Sequence, residues 1–383
     1  MELRRLCKDD YDDLIGLLNT VFGKKNNRVV SFENDLPKMC RRTDEAMGKH
    51  LGIFEEERLV AALGIYPLPT KIMGEDFLFS TVGNVATHPD FEGRGYMGIL
   101  MNAAMEELER LGADVSRLGG GRQRYNRFGY EMAGVANTFS VGGHNVKHAF
   151  PDTSNIEFHL IERDNLEALE YVKSMHEKES IYCVRRSDED FFEVYASAVA
   201  WQAKPYSVTK GSERIGYVSV AKDGVTLSEL YAECDADFID IIGAYQRKTG
   251  GALEISLPSY KPALVSRLAK VCAHVSCEPV CHFKVISFAK LTSALMKLKA
   301  TYTGMPQGEF VLGIEGYGAM RIYSDEGGVG AEICDKTPQI TLDKLTATRF
   351  LFGHMPADLI ADVPDFVKVW LPLPLFWNLQ DRV

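Results

Sequence analysis

The chain lacks a long apolar run: nowhere in its 383 residues is there an approach to the ~18 uninterrupted apolar residues that a membrane-spanning helix requires. Its start turns acidic at Asp9 and Asp10, where a secretory signal would turn apolar. A cytoplasmic location with no membrane partner is therefore expected. An excess of positive charge is also missing. Lys+Arg 43 against Asp+Glu 53 leaves a net charge of -10, which repels phosphate backbones and excludes nucleic acid as the expected partner. Low-complexity tracts are absent too, and 46% hydrophobic with 25% charged residues is a globular composition with a sizeable core. The eight cysteines form neither a disulfide framework nor a paired C-x-x-C knuckle, so buried, reduced thiols are expected. Cys272, His274, Cys277, Cys281 and His282 cluster, but not at the spacing that wraps a tetrahedral ion, and no metal is expected.

The length exceeds the ~250–300 residues at which single cores stop growing, so several domains are expected. Glu2–Leu6 reads as a strand, and Tyr11, Leu14, Leu18, Val21 and Phe22 recur at helical spacing. Leu51–Phe54, Leu59–Tyr66 and Phe77–Thr87 alternate with polar turns and read as an antiparallel meander. Met97, Leu100, Met101, Ala104, Met105, Leu108 and Leu111 then mark a helix that Gly112 ends. Gly142–Asn155 reads as a connector. Beyond it come strand Glu157–Ile161, helix Leu166–His176, a helix opened by Ser187 and Asp190, and strands Gly216–Val220 and Val225–Tyr231. Helix Asp235–Arg247, strand Leu253–Leu257 and helix Pro262–Val271 follow. This order loosely echoes the first segment. From Phe288 the pattern changes to helix Ala289–Leu298, short Gly-bounded strands, helix Leu342–Phe352 and a Pro- and Trp-rich tail.

The chemistry concentrates at Val85-Ala86-Thr87-His88-Pro89-Asp90-Phe91-Glu92-Gly93-Arg94-Gly95-Tyr96-Met97-Gly98. A strand end there runs through a glycine loop into the strong helix. Free N–H groups of a first helical turn, the positive end of its dipole and close-approach glycines together make a phosphate site; the alternative is a loop whose glycines merely permit a tight turn. No Gly-Lys-Ser/Thr follows, so this is not a Walker loop, and the preceding meander excludes a dinucleotide fingerprint.

This segment resembles the acetyl-coenzyme A loop of the GNAT N-acetyltransferases, R/Q-x-x-G-x-G/A, with Glu92 and Met97 as departures. Gly119-Gly120-Gly121-Arg122-Gln123-Arg124-Tyr125-Asn126-Arg127-Phe128-Gly129-Tyr130 is similar to the Tyr-x-Arg-Phe-Gly-Tyr segment of Eis-type (enhanced intracellular survival) acetyltransferases. The resemblance covers essentially the whole chain. It implies a mixed α/β (α+β) architecture: a GNAT catalytic domain over 1–145, a degenerate GNAT-like domain over 146–286 and a sterol-carrier-protein-like α+β domain over 287–383. It also implies a homo-hexamer, with acetyl-CoA as co-substrate and no metal. Cofactor contacts are implied at Val85, Ala86, Thr87, Gly93, Arg94, Gly95, Tyr96, Met97, Gly98, Gly120 and Gly121. Tyr125 is implied to protonate the leaving thiolate, where otherwise it reads as a core aromatic beside Phe128 and Tyr130. The general base is implied to be the carboxylate of Val383. Aminolysis of a thioester needs such a base, a proton for the sulfur and a donor to the carbonyl oxygen, the last expected from backbone N–H groups around Val85–Thr87.

The junction Ala232-Glu233-Cys234 carries no Gly-x-Gly, so the second copy is expected not to bind coenzyme A. The acidic balance suits a small cationic acceptor, an aminoglycoside or polyamine. The other readings are a lysine acetyltransferase acting on protein, and a non-catalytic carrier or acyl-CoA sensor. The acceptor's walls are expected from loops such as Val29–Met39.

Overall fold

The computed structural model describes residues 1–26, 29–189, 191–198 and 201–382. Asp190, part of the expected helix cap, and Val383 lie outside the described residues. The architecture is mixed α/β, with two eight-stranded sheets and a four-stranded one.

The first sheet begins with β1 (Glu2–Arg5), β2 (His50–Glu55), β3 (Arg58–Ile72) and β4 (Glu75–Thr87), paired antiparallel in order. The polar turns between them carry Glu56, Glu57, Met73 and Gly74 at positive φ, which closes short hairpins. α1 (Tyr11–Asn26) covers this meander with Leu14, Leu17 and Leu18, each nearly inaccessible. After β4 the chain crosses through α3 (Tyr96–Arg110; α2 is Phe32–Asp35) and returns as β5 (Val115–Leu118), parallel to β4. Leu100, Met101, Ala104 and Leu108 line one face of α3 and are fully buried, the Leu and Met side chains stabilising the fold by roughly 1.5–3 kcal/mol each. Gly112, at φ 67, ends the helix.

The second sheet repeats that order. Strands Trp201–Lys210, Glu213–Ala221 and Thr226–Ala232 run antiparallel, helix Asp235–Thr249 crosses, and Leu253–Pro258 returns parallel to Thr226–Ala232. Trp201–Lys210 was not anticipated from the sequence, because Pro205 and the lysines on either side of it hide its alternation. The stretch expected to be a connector contains helix Gly143–Ala149 instead: Val146 and Phe150, four residues apart, dock in the core of the second sheet, and Asn145 accepts from the Gly142 N–H at 3.0 Å.

The sheets also exchange strands. Ala136–Val141 belongs to the second sheet, while Cys281–Val285 returns to the first and sits between β5 and β6 (Glu131–Ala133). This exchange divides the Cys/His cluster, since His274 and Cys277 lie on strand His274–Glu278 of the second sheet and Cys281 and His282 on the first. Among the described residues no group of three or more metal-ligating side chains converges. The cysteines are less buried than expected: Cys40 is buried, Cys7, Cys234 and Cys277 are exposed and the rest are intermediate. Cys277 is exposed because its strand, His274–Glu278, lies at the edge of the second sheet.

The last segment packs helix Phe288–Ala300 and sheet strands Gly308–Ile314, Gly318–Asp325, Gly328–Cys334 and Ile340–Leu342 around Trp370, Phe350 and Phe352. That core is continuous with Phe79 and Phe283 of the first sheet through Leu373, Leu375 and Trp377 of the tail. No helix among the described residues is long and apolar enough to cross a membrane.

Candidate active site

β4 and β5 are in register from Phe79/Val115 to Val82/Leu118, and there the pairing ends. β5 turns away into Gly119-Gly120-Gly121 while β4 continues, so the strands splay. On the other edge of β4, Ala62 pairs with Ala86 but Gly64 with Gly83. β4 therefore holds one residue more than β3 over this interval, a bulge that leaves Asn84 and Val85 opposite no partner on either neighbour. Asn84 adopts φ 54, a left-handed conformation that asparagine tolerates better than most residues.

A buried chain of hydrogen bonds fixes this bulge. The His50 ring meets the Met47 carbonyl at 3.3 Å through Nδ1 and the Tyr66 hydroxyl at 2.8 Å through Nε2, and the Asn84 amide donates to Tyr66 at 2.9 Å. Burial pushes the His50 ring down to about 4, so it is neutral at physiological pH. The carbonyl can only accept, so Nδ1 carries the proton; Tyr66 then donates to Nε2 and accepts from Asn84. Gly64 makes room for the arrangement, because a Cβ there would stand 2.1 Å from the Tyr66 oxygen.

Two cavities meet at the splay. A groove of ≈ 900 Å3 opens on the α3 side, lined by Val85, Thr87, Gly93, Gly95, Tyr96, Met97, Gly98 and Asn102, with Arg124 and Arg127 across from them. Gly93 and Gly95 adopt φ 80 and 82. The first hydrogen bonds of α3 run from Gly98 and Ile99 to the Gly95 carbonyl, so the N–H groups before Gly98 point out of the helix end. A second cavity, of ≈ 170 Å3, lies on the α1–α2 side and shares Val85 and Arg124 with the groove.

The expected cofactor residues divide between these spaces. Val85, Thr87, Gly93, Gly95, Tyr96, Met97 and Gly98 line the groove, whereas Gly120 and Gly121 line the smaller cavity. Ala86 faces the core under α1. The Arg94 guanidinium is turned to Glu55 at 3.0 Å and lies over Phe91; Tyr96 also donates to Glu55, so this carboxylate anchors the loop. Arg124, Arg127, Asn102 and Phe128 were not anticipated as groove residues. For the two arginines the signal was in the sequence, as basic residues three apart beyond the triple glycine, but only the fold brings them opposite α3, the helix that carries Asn102.

Tyr125 ends α4 (Arg122–Tyr125) and lines the smaller cavity. Glu131, itself buried, holds this short helix through two bonds of 2.7 Å from Arg122. Burial pushes the Tyr125 phenol above its ordinary value against the opposing effect of the adjacent Arg124, so the hydroxyl keeps its proton at neutral pH. The Tyr125 ring rests on Gly120, whose φ is 147.

The tail ends beside the first sheet. Lys38 donates to the carbonyls of Gln380 at 3.2 Å and Arg382 at 2.8 Å, and burial pushes its ammonium down to about 7. Gln380, fully buried, donates to the Val194, Tyr195 and Ser197 carbonyls. Arg186 binds Asp381 at 2.9 Å and Glu229 at 2.9 and 2.5 Å.

Residues 2–133 match the family model for an acetyltransferase (GNAT) domain. The N-terminal third is a GNAT acetyltransferase domain. No curated protein matches the sequence. Solved structures match over nearly the whole chain. A GCN5-related N-acetyltransferase from Kribbella flavida is 16% identical with TM-score 0.65, covering 97% of this chain and 95% of that one. A probable N-acyltransferase from Enterococcus faecalis V583 is 14% identical with TM-score 0.67, covering 99% and 97%. Eis1 from Mycobacterium abscessus is 17% identical with TM-score 0.66, covering 99% and 98%. At these identities the likeness is one of fold.

The protein is thus an acyltransferase, and its GNAT domain fits acetyl-CoA. The outward N–H groups of α3, the open glycines and Arg124 and Arg127 suit a pyrophosphate, and a Cβ at Gly98 would meet only Arg127, at 4.0 Å. In the second sheet, Tyr182, Tyr260, Phe376 and Trp377 line the space between Thr226–Ala232 and Leu253–Pro258 down to ≈ 70 Å3, and the cavity of ≈ 400 Å3 at the start of helix Asp235–Thr249 is bordered by Glu179, Glu233 and Asp235, carboxylates that do not suit a pyrophosphate.

The Met47–His50–Tyr66–Asn84 chain yields a first prediction. Tyr66→Phe leaves the His50 Nε2 and the Asn84 amide without their bond, at a cost of about 1–3 kcal/mol in stability. It also loosens the bulge, and the expected kcat falls about tenfold, a fraction of the cost of deleting a whole oxyanion donor. Thiol-release kinetics beside calorimetric acetyl-CoA titration check this; an affinity loss matching the rate loss would place the effect in the cofactor groove instead.

Proposed function

We propose that the chain transfers an acetyl group from acetyl-CoA to the primary amine of a small molecule by direct attack with both substrates bound. Acetyl-CoA supplies the activated acyl thioester, and Arg124, Arg127 and the N-terminus of α3 hold its phosphates. The bulge N–H groups at Val85 donate to the acyl oxygen as it gains charge, and Tyr125, protonated at neutral pH, gives its proton to the departing sulfur. The terminal carboxylate, at Val383, accepts the proton of the attacking amine. The observation that carries this reading is the meeting of two cavities at Val85 and Arg124, with the Tyr125 ring in the wall of one of them. The burial of Gln380 and Asp381 and the Lys38 contact to Arg382 support the role given to the tail. A space of ≈ 170 Å3 suits a small acceptor better than a lysine on a protein surface. The same reading takes the last segment as a sterol-carrier-like scaffold and the assembly as a hexamer.

The test is thiol release from acetyl-CoA across a panel of amines by the wild type, by Tyr125→Phe and by a chain extended past Val383. Turnover by the wild type is expected. It should fall about 100-fold in Tyr125→Phe, the scale of a lost general acid, with acetyl-CoA affinity within about twofold of wild type, since the missing hydroxyl is not placed against the phosphates. The extended chain should lose rate as well. Coenzyme binding without release from any amine would replace the transfer reading by a sensor or carrier.

A further inference from the structure

The acidic balance of the whole chain suggests a polycationic acceptor, but the cavity beside Tyr125 has a different character. Phe22, Phe32, Leu36 and Val82 make its walls, with the two phenyl rings 5.1 Å apart. Its charged side chains are Lys25 and Arg124, both positive, and the described residues that line it include no carboxylate. The Lys25 ammonium lies 5.8 Å from the centre of the Phe22 ring, so the aromatic face that would attract a ligand cation already carries one.

A polyamine placed here would bring a second ammonium against apolar walls, losing hydration without a partner, and would face two like charges at close range. An acceptor with one reacting amine, an apolar body and an anionic group meets none of these costs: the body displaces water from the phenyl walls and the anion pairs with a cation at the rim. We propose that the acceptor is an apolar amino acid or a close analogue, a monoamine carrying a hydrophobic side group and a carboxylate, with Lys25 as the residue that selects the carboxylate. The inference rests on the acetyl-transfer reading for the fate of the amine, but not for the binding of the ligand.

Two measurements on the full-length protein separate the claims. In the first, thiol release is followed with L-phenylalanine, with phenethylamine, which lacks only the carboxylate, and with spermidine. The kcat/KM for phenylalanine is expected to exceed that for phenethylamine about 10- to 100-fold, the worth of one hydrogen bond to a charged group, and to exceed that for spermidine by at least as much. Lys25→Gln should remove most of the first ratio through KM, leaving kcat for phenylalanine within about twofold, because Lys25 touches neither Tyr125 nor the groove. In the second, calorimetry measures binding of N-acetyl-L-phenylalanine and N-acetylphenethylamine to the protein with coenzyme A present, with no turnover required. Tighter binding of the carboxylate compound that disappears in Lys25→Gln supports the assignment, and it does so even if no amine releases thiol, an outcome that would overturn the transfer reading alone. A preference for spermidine, equal binding of the two acetylated compounds, or a ratio unmoved by Lys25→Gln overturns the proposal.

Discussion

Gly120→Ala is expected to abolish most of the transferase activity while the acetyl-CoA groove stays intact. Two separate penalties fall on this one methyl group. The backbone at Gly120 has φ 147, a region essentially confined to glycine and costing any other residue of order 1–3 kcal/mol. The added Cβ would also stand 2.5 Å from Cε2 of Tyr125 and 3.5 Å from its Cζ. Either the backbone or the ring must shift, and the ring carries the hydroxyl that protonates the leaving sulfur in the proposed reaction. A displacement near 1 Å costs on the order of 100-fold in rate. The expected result is a kcat reduced about 100-fold or more, a thermal midpoint lowered with it, and acetyl-CoA affinity close to wild type, because Gly120 lines the smaller cavity and not the groove. Gly121→Ala is the control: a Cβ there meets nothing within 4 Å, so its rate should be nearly unchanged. Equal losses in both variants would show that loop flexibility, not the Tyr125 contact, is responsible.

The largest stability effect is expected at Arg186. Its side chain is 2% exposed, between Glu229 at 0% and Asp381 at 4%. Burial pushes the Glu229 carboxyl up, but Arg186 outweighs it with help from the Tyr217 hydroxyl, and the net direction is down. A carboxyl held below its unfolded value contributes stability that is present above the unfolded pKa near ~4.3 and lost as pH falls through the folded one. Arg186→Met leaves two buried carboxylates without their cation, at about 3–5 kcal/mol. The sign of the pH dependence then reverses. With burial no longer outweighed by Arg186, the Glu229 carboxyl rises above its unfolded value, so the variant loses stability as pH climbs from ~4.3 toward neutral. Urea denaturation at pH 7 and pH 5 checks both statements: the deficit against wild type should be largest at pH 7 and shrink at pH 5. A deficit independent of pH would mean that lost packing, not stranded charge, dominates.

What the sequence disclosed depended on how local the signal was. The meander, α3 and its glycine stop were legible because their periodicity lies within single elements, and the loop from Val85 to Gly98 was legible because glycine placement is itself the chemistry. The groove's Arg124 and Arg127 were harder to see, since they face α3 only after β5 and α4 have folded around Glu131. Ala86 and Arg94 show the converse: adjacent to groove residues in sequence, they point elsewhere, Ala86 by strand alternation and Arg94 because Glu55 holds it. The charge of the cavity beside Tyr125 was not legible in the composition, because a net charge of -10 describes the whole chain and not the residues facing one small space. Nothing local foretold that Gln380 and Asp381 would be buried in the second sheet's territory. Those contacts join positions more than 180 residues apart.

The strand exchange between the two large sheets bears on how the protein is made. β5 and β6 are not neighbours; Cys281–Val285 must lie between them, with His282 against Leu118 and Met132. A ribosome that has completed the transferase domain's own 2–133 has therefore not yet produced the strand that closes its sheet, and β5 is left with an open edge until about 150 further residues emerge. Long-range pairing of this kind is slow and leaves hydrophobic edges exposed in the meantime. The nascent N-terminal third is in this sense a client of its own downstream sequence, reaching its working shape only after the second sheet has been translated.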